Sequence, residues 1–255
     1  MKRSQRWFND LFFGGKQEKS SKINKFYAKK GFLVMRNILS EEEVEVFRNT
    51  LDNYLNSDNS FSDDGISNMI PGFAGNYPEL GDLNVLHKKS DILKILESEI
   101  FGTTDFIYAN HSDLHQNKTT GWHRDTYDYL LEDRGNGTQE GLWSKECHIV
   151  KVCFLLQDHS DNDYGLWFKP KTHKNNVKGK KKIMHTNATD MIIFDQRIEH
   201  SGQTQKPQYH VKYNKNRYLL TYAFGLNNEH TKIHMKGSKI RQESQNKRLN
   251  RLSKN

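Results

Sequence analysis

The period of the apolar positions changes along the chain. Phe32, Leu33, Val34 and Met35 form a continuous apolar run, which predicts a strand over 31–36. Ser40-Glu41-Glu42-Glu43 follows as a capping box, with Leu39 and Val44 placed as a hydrophobic staple. Val44, Phe47, Leu51 and Leu55 then recur at helical spacing and mark one helix face. Residues 56–80 are rich in Ser, Asn, Asp and Gly and predict a long loop over a site. Residues 90–100 return to a helical pattern through Ile92, Leu93, Ile95, Leu96 and Ile100, with Gly102 after them. Beyond that point strand-length runs dominate, at 105–117, 147–157, 164–169, 182–186, 190–195 and 217–226. Helices first and many short strands afterwards predict a mainly β fold with flanking helices, a double-stranded β-helix (jelly roll) of the cupin kind. The chain has no internal repeat.

Against this frame one motif carries chemistry. His123-Arg124-Asp125 is a His-x-Asp pair, and His200 follows 75 residues after Asp125, room for several strands. Two imidazoles and one carboxylate on one face of a metal leave positions open for substrate and dioxygen, the ligand set of non-haem Fe(II) oxygenases. On an extended segment side chains two apart share a face, so His123 and Asp125 can converge on one ion. Other constellations compete. His111 and His115, or His230 and His234, could form a three-His zinc site with His123, and Cys147-His148 could contribute to a metal. A serine nucleophile has no Gly-x-Ser-x-Gly to support it, and no phosphate-binding loop motif is present.

The stretch Gly121-Trp122-His123-Arg124-Asp125-Thr126-Tyr127, the stretch from Ile193 to Gln203 containing His200, and Arg217 at a strand start resemble the phytanoyl-CoA dioxygenase family. The opening stretch Phe26 to Ser40 is similar to that family's first strand and helix, and the similarity spans roughly residues 24–228. The resemblance implies an Fe(II)- and 2-oxoglutarate-dependent dioxygenase that uses dioxygen and releases succinate and CO2. By it, His123, Asp125 and His200 would ligate iron and Arg217 would grip the distal carboxylate of 2-oxoglutarate. A planar guanidinium suits that grip better than an ammonium. Asn117 and Ser201 would hydrogen-bond the cosubstrate, and Trp122, Tyr127 and Tyr129 would wall the pocket. Related halogenases replace the carboxylate by a small residue, so Asp125 implies hydroxylation. Two departures stand out. A polar insertion, Lys206 to Asn216, precedes Arg217, leaving Lys212 and Lys215 as alternative carboxylate partners. Lys169-Pro170-Lys171-Thr172-His173 replaces the family's frequent Pro-Gly-Ser-His.

Composition narrows the class. The 255 residues suit one domain, and 34% hydrophobic content with no long apolar run excludes a helical membrane span. No secretory leader or peroxisomal ending is expected. Cys147 and Cys153 lie too far apart along a strand to bridge, so reduced thiols in a cytoplasmic protein are expected. The net charge of +8 is uneven: residues 1–30 carry +7 and residues 236–255 carry +6, leaving the middle at −5. The expected division is therefore a basic amphipathic segment at 1–22, an oxygenase domain at 23–235 and a basic, disordered tail at 236–255. Deleting the tail is expected to leave turnover intact. Trp7, Phe8, Leu11 and Phe12 share one helical face flanked by Lys2, Arg3 and Arg6. That face would dock on the domain or lie in a membrane interface through residues 1–15. The expected partner is a small-molecule substrate, with no nucleic acid, and a monomer is expected. A metal-containing jelly-roll binding module and a metal-dependent hydrolase are the alternative functions.

Overall fold

The computed structural model describes residues 16–56, 67–130, 137–203 and 206–252. The amphipathic segment around Trp7 and Phe12 lies outside them. Two antiparallel sheets face each other. The larger has the order β1 (Phe32–Met35), β8 (Met191–Asp195), β5 (Ile149–Leu155), β10 (Tyr218–Leu226), β3 (Phe106–Gln116), β2 (Asn68–Pro71). The smaller has the order β4 (Thr120–His123), β9 (Glu199–Gly202), β6 (Leu166–Lys169), β7 (Lys182–Ile183). This is the double-stranded β-helix that the pattern predicts.

The helices cover the outer face of the larger sheet. They are α1 (Lys16–Lys30), α2 (Glu41–Asn56) and α3 (Ser90–Ile95), the last continuing as a π turn to Phe101. The capping box that starts α2 is formed in both directions. The Ser40 N–H donates to Glu43 Oε2 at 2.8 Å and the Glu43 N–H donates to Ser40 Oγ at 3.1 Å. Leu51 is fully buried against the sheet residues Val150, Val152 and Phe154. The opposite face of the same strands packs toward the smaller sheet, where Phe32, Val34, Phe168, Ile192 and Phe194 form a second cluster. Both faces of β5 are thus covered, which explains its unbroken burial.

Three expectations change. The loop over 56–80 contains β2, which pairs with β3 through Met69↔His115 and Ile70↔Leu114. Backbone pairing at a sheet edge needs no alternating pattern, so composition concealed it. Ser201-Gly202-Gln203 has the composition of a turn after His200, but Ser201 and Gly202 belong to strand β9. The turn comes earlier, where the Asp195 carboxylate accepts from the Arg197 N–H (2.9 Å) and the Ile198 N–H donates to the Asp195 carbonyl (2.9 Å). That turn carries the chain from the larger to the smaller sheet.

The third correction is the carboxyl end. After two short helices, α4 (Gln139–Leu142) and α5 (Tyr209–Tyr213), it is a helix, α6 (Glu229–Leu252), lying against β3. Its buried residues, Thr231, His234, Gly237 and Ser238, fall at helical spacing but are small or polar. A hydrophobicity pattern therefore misses them. At Gly237 a Cβ would come 1.7 Å from the Asp128 carbonyl oxygen. Glycine normally weakens a helix interior, so its place here reflects close approach. Gly237→Ala is expected to destabilise the protein by about 1–3 kcal/mol despite alanine's better helix propensity. A thermal melt checks this, and unchanged or raised stability would show that the helix does not press on Asp128.

Candidate functional site

His123 ends β4 and His200 lies in β9, and the two residues are direct partners in the antiparallel register. Their ring centroids are 4.3 Å apart. Asp125 lies past the end of β4, so it joins them by a turn and not by strand alternation. Its N–H donates to the Gln196 carbonyl at 3.0 Å, which bends the chain back toward β9. The carboxylate then stands 3.3 Å from His123 Nε2 and 3.7 Å from His200 Nε2. One ligand atom from each residue lies within 4.8 Å of the others, a spacing that can hold a metal ion.

The imidazoles are oriented for that role. His123 Nδ1 lies 2.7 Å from the Gly121 carbonyl, and His200 Nδ1 lies 3.0 Å from the Ile198 carbonyl. A carbonyl oxygen accepts only from an N–H, so both rings carry their proton on Nδ1 when neutral. Both Nε2 lone pairs are then turned to one point, the outer hydrogen-bonding typical of metal-binding histidines. Burial lowers the His200 pKa from its ordinary value, and Asp125 only partly offsets this. Burial acts the same way on His123, but the hydrogen bond to Asp125, the charge of that carboxylate and the Gly121 carbonyl together outweigh it and raise that pKa. Burial would raise Asp125. The Lys151 ammonium and the two imidazoles overcome it and hold the carboxyl well below the usual carboxylate range.

The triad opens onto a cavity of about 200 Å³ that Arg217 also lines. Arg217 is 1% exposed, the largest of the fully buried side chains. Its Nε donates to the Tyr164 carbonyl at 3.0 Å, and its Nη2 is buried with no partner. Burial pulls its pKa down to about 10. A buried guanidinium with an open donor and, among the described residues, no carboxylate beside it is costly unless a ligand anion completes it. Gly202, opposite Thr120, leaves the intervening space free. A Cβ there would meet Thr120 Oγ1 at 3.1 Å and Arg217 Nη2 at 3.8 Å. Leu166, Phe194 and Leu219 supply the apolar lining.

The other expected residues are placed differently. Asn117 does not line this cavity. Its Oδ1 accepts from the Arg217 N–H (2.8 Å) and its own N–H donates to the Arg217 carbonyl (2.8 Å), so it positions the arginine. Ser201 lies between His200 and Gly202, and strand alternation turns it to the other face, away from the cavity. Tyr127 lies on the cavity rim, 63% exposed. Trp122 stands outside beneath the Lys169 ammonium, 4.5 Å from its ring centroid. Tyr129 is buried and bonded to His230 Nδ1 at 2.7 Å. Lys212 rests on the rings of Tyr164 and Tyr213 and is exposed, as is Lys215; neither lines the cavity, so of these three candidates Arg217 is the one that reaches it, beside Lys118, Arg124 and Arg241 elsewhere in the lining.

Sequence reasoning missed the charged cluster beside the triad. Lys151, in the middle of β5, is 1% exposed. Its Nζ contacts His111 Nε2 and lies 3.8 Å from Asp125 Oδ2. His111 Nδ1 meets Asp128 Oδ2 at 2.6 Å, and Arg241 from α6 reaches Asp128 (2.9 Å) and Asp113 (3.1 Å). His111, Asp128 and His234 have the composition of a second metal site. His111 and Asp128 are engaged with other groups: His111 Nδ1 meets Asp128, its Nε2 meets the Lys151 ammonium and Asp113, and Arg241 pairs with Asp128, whereas both ring nitrogens of His234 are buried with no hydrogen-bond partner among the described residues. The cluster is a fixed outer layer behind Asp125. The clue in the sequence was one lysine inside the apolar run Ile149-Val150-Lys151-Val152-Cys153. Cys147 and Cys153 are free and buried, and burial pushes the Cys147 thiol up to about 12, so neither is poised to bind metal.

Residues 27–211 match the family described as phytanoyl-CoA dioxygenase (PhyH). The chain belongs to that family. Its members are Fe(II)/2-oxoglutarate-dependent oxygenases, and this chain is an enzyme of that class. A search of curated protein sequences gives no match. Among solved structures, HygX from Streptomyces hygroscopicus with nickel, 2-oxoglutarate and hygromycin B is similar at a TM-score of 0.59 and 16% identity, over 80% of this chain and 86% of that one. EctD from S. alaskensis with 2-oxoglutarate and 5-hydroxyectoine is similar at 0.59 and 14% identity, over 84% and 78% of the two chains. The non-heme alpha-ketoglutarate-dependent epimerase SnoN from nogalamycin biosynthesis is similar at 0.58 and 12% identity, over 81% and 82%. At these identities the likeness is one of fold.

Proposed function

We propose that His123, Asp125 and His200 hold Fe(II), that Arg217 binds the distal carboxylate of 2-oxoglutarate, and that the enzyme hydroxylates a small organic substrate. The observation that carries this reading is the unpartnered, buried Arg217 guanidinium in the same cavity as the triad. A non-catalytic module or a hydrolase acting through metal-bound water would have no use for it. When bound, iron and 2-oxoglutarate supply the oxidising chemistry, with succinate and CO2 as by-products. The chain's own contribution is positional. Gly121 and Ile198 fix the imidazoles, Lys151 holds the second Asp125 oxygen, and Leu166, Phe194 and Leu219 keep water from the cosubstrate. The presence of Asp125 supports hydroxylation, because the carboxylate occupies the position a halide would need. The prime substrate would enter past Tyr127 and Arg124 at the rim. The reading extends to a cytoplasmic protein, with residues 1–15 as a peripheral membrane contact.

Arg217→Met is expected to raise the apparent KM for 2-oxoglutarate about tenfold or more while leaving metal content unchanged. A charged hydrogen bond to a carboxylate contributes about 1.5–3 kcal/mol, which corresponds to that factor. An unchanged KM would remove Arg217 from the site. A metabolite screen by mass spectrometry, scored for a gain of one oxygen atom, tests hydroxylation.

A further inference from the structure

The helix α6 brings to the charged cluster a histidine with no bond to make. His234 is fully buried, and neither of its ring nitrogens has a hydrogen-bond partner among the described residues. Burial pulls its pKa down to about 3, so the ring is neutral and one nitrogen keeps a free lone pair. A buried donor or acceptor without a partner costs stability unless a ligand completes it. The ring lies over that of His111, with 5.7 Å between centroids. One ligand atom each from His111, Asp128 and His234 lies within 4.8 Å of the others. Three separate elements therefore converge: His111 from β3, Asp128 from the segment after β4, and His234 from α6. Gly237, one turn after His234, lets the helix press on the Asp128 backbone and makes that approach close.

We infer that His111, Asp128 and His234 hold a second metal ion, and that Zn(II) is the ion the site fits. Two imidazole nitrogens and one carboxylate oxygen suit zinc, and a water completes the tetrahedron. His111 and Asp128 line the cavity that also reaches the triad, which gives the ion an entry path and the water a place. The groups around them can rearrange without leaving a charge unpaired. His111 Nδ1 donates to Asp128 Oδ2 at 2.6 Å, and the ion takes the place of that proton. Ligand atoms on a tetrahedral zinc sit about 3.3 Å apart, so the pair opens by about 0.7 Å. The proton moves to Nε2, which stands 3.1 Å from Asp113 Oδ2. A carboxylate there is the usual outer partner of a metal-bound histidine. The Lys151 ammonium, which Nε2 otherwise accepts, turns to Asp125 Oδ2, 3.8 Å away. Arg241 keeps its closest contacts, Asp128 Oδ1 at 2.9 Å and Asp113 Oδ1 at 3.1 Å. Asp113, Asp125 and Asp128 outnumber the cations Lys151 and Arg241, so the cluster favours a further positive charge. Zinc would tie α6 to β3 and to the segment after β4, a structural role that leaves the chemistry to the triad. This inference does not depend on the iron reading.

The test compares the full chain, His200→Ala, His234→Leu and the double variant. Each is stripped with a chelator, reloaded with zinc, passed through a gel-filtration column and read as zinc per chain by elemental analysis. Two zinc ions are expected in the parent chain, one in each single variant and none in the double variant. Leucine replaces the unpartnered ring at similar volume, so metal-free His234→Leu should melt no lower than the metal-free parent. Zinc at about a hundred times its Kd should raise the Tm of His200→Ala by about 5–10 °C and leave the double variant unmoved. Two zinc ions in His234→Leu, none in His200→Ala, or an equal Tm rise in His200→Ala and the double variant would each overturn the second site. One ion in the parent that His200→Ala keeps and His234→Leu loses would uphold it and remove the triad instead.

Discussion

Asp125→Ala is expected to abolish 2-oxoglutarate-dependent turnover and to weaken Fe(II) binding on the order of a hundredfold or more. Even loss of a group that merely orients a metal ligand costs about ten- to a hundredfold, and Asp125 is proposed as a ligand itself. It supplies the one anionic donor, set 3.3 Å and 3.7 Å from the two imidazole nitrogens. Its removal also takes from the buried Lys151 ammonium a carboxylate at 3.8 Å and leaves a positive charge facing the metal. The outcome should be worse than the loss of one bond. Metal content after reconstitution and succinate release together read it. An Asp125→Ala protein with normal iron content and normal turnover would refute the triad.

Loss of Arg241 should have the next largest effect, and on stability as well as activity. Arg241 neutralises Asp113 and Asp128, whose side chains are 8% and 3% exposed. Removing one partner of a buried ion pair costs about 3–5 kcal/mol, because the remaining charge stays buried and unpaired. Arg241→Met should therefore lower Tm on the order of 10 °C. Turnover should fall with it, since Asp128 holds His111, His111 holds Lys151, and Lys151 stands behind Asp125. Truncation before residue 238 should do the same, contrary to what a solvated tail would give. The pH dependence follows from the carboxylates. Burial would raise Asp113, but Arg241 and His111 hold it well below its ordinary value; His111 and Arg241 do the same for Asp128. A carboxyl whose folded pKa is depressed adds stability above its unfolded value, about 3.9, and that stability is lost as pH falls toward the folded pKa. In Arg241→Met part of this acid tolerance disappears, so acid unfolding should begin at higher pH than in the parent chain. Unchanged melting and an unchanged acid limb would show that the cluster does not depend on α6.

What the sequence made legible follows from which residues are apolar. The helix face Val44, Phe47, Leu51, Leu55 and the strand runs around Ile149 and Met191 bury hydrocarbon, and their periods name their elements. That His123, Asp125 and His200 converge was legible because the ligand sets that hold a metal restrict residue type and spacing. Arg217 was legible through family resemblance, despite the insertion before it. The helix α6 was not, because Thr231, His234, Gly237 and Ser238 bury small and polar groups that close approach requires and a hydrophobicity pattern ignores. The Lys151–His111–Asp128–Arg241 cluster was hidden for a related reason. Its members come from β5, β3, the segment after β4 and α6, and only the fold brings them together. Asn117 and Ser201 were expected to hydrogen-bond the cosubstrate. Strand alternation then put Ser201 on the wrong face and left Asn117 to support Arg217 from behind.

The central claim, that the triad and Arg217 form one 2-oxoglutarate-consuming iron site, is tested most directly by succinate release. The full chain would be loaded with Fe(II), given 2-oxoglutarate in air without prime substrate, and compared with His200→Ala at matched concentration. The account predicts slow succinate formation by the parent chain and none above background by the variant. Equal release from both proteins, or none from a parent chain shown to contain iron, would contradict it.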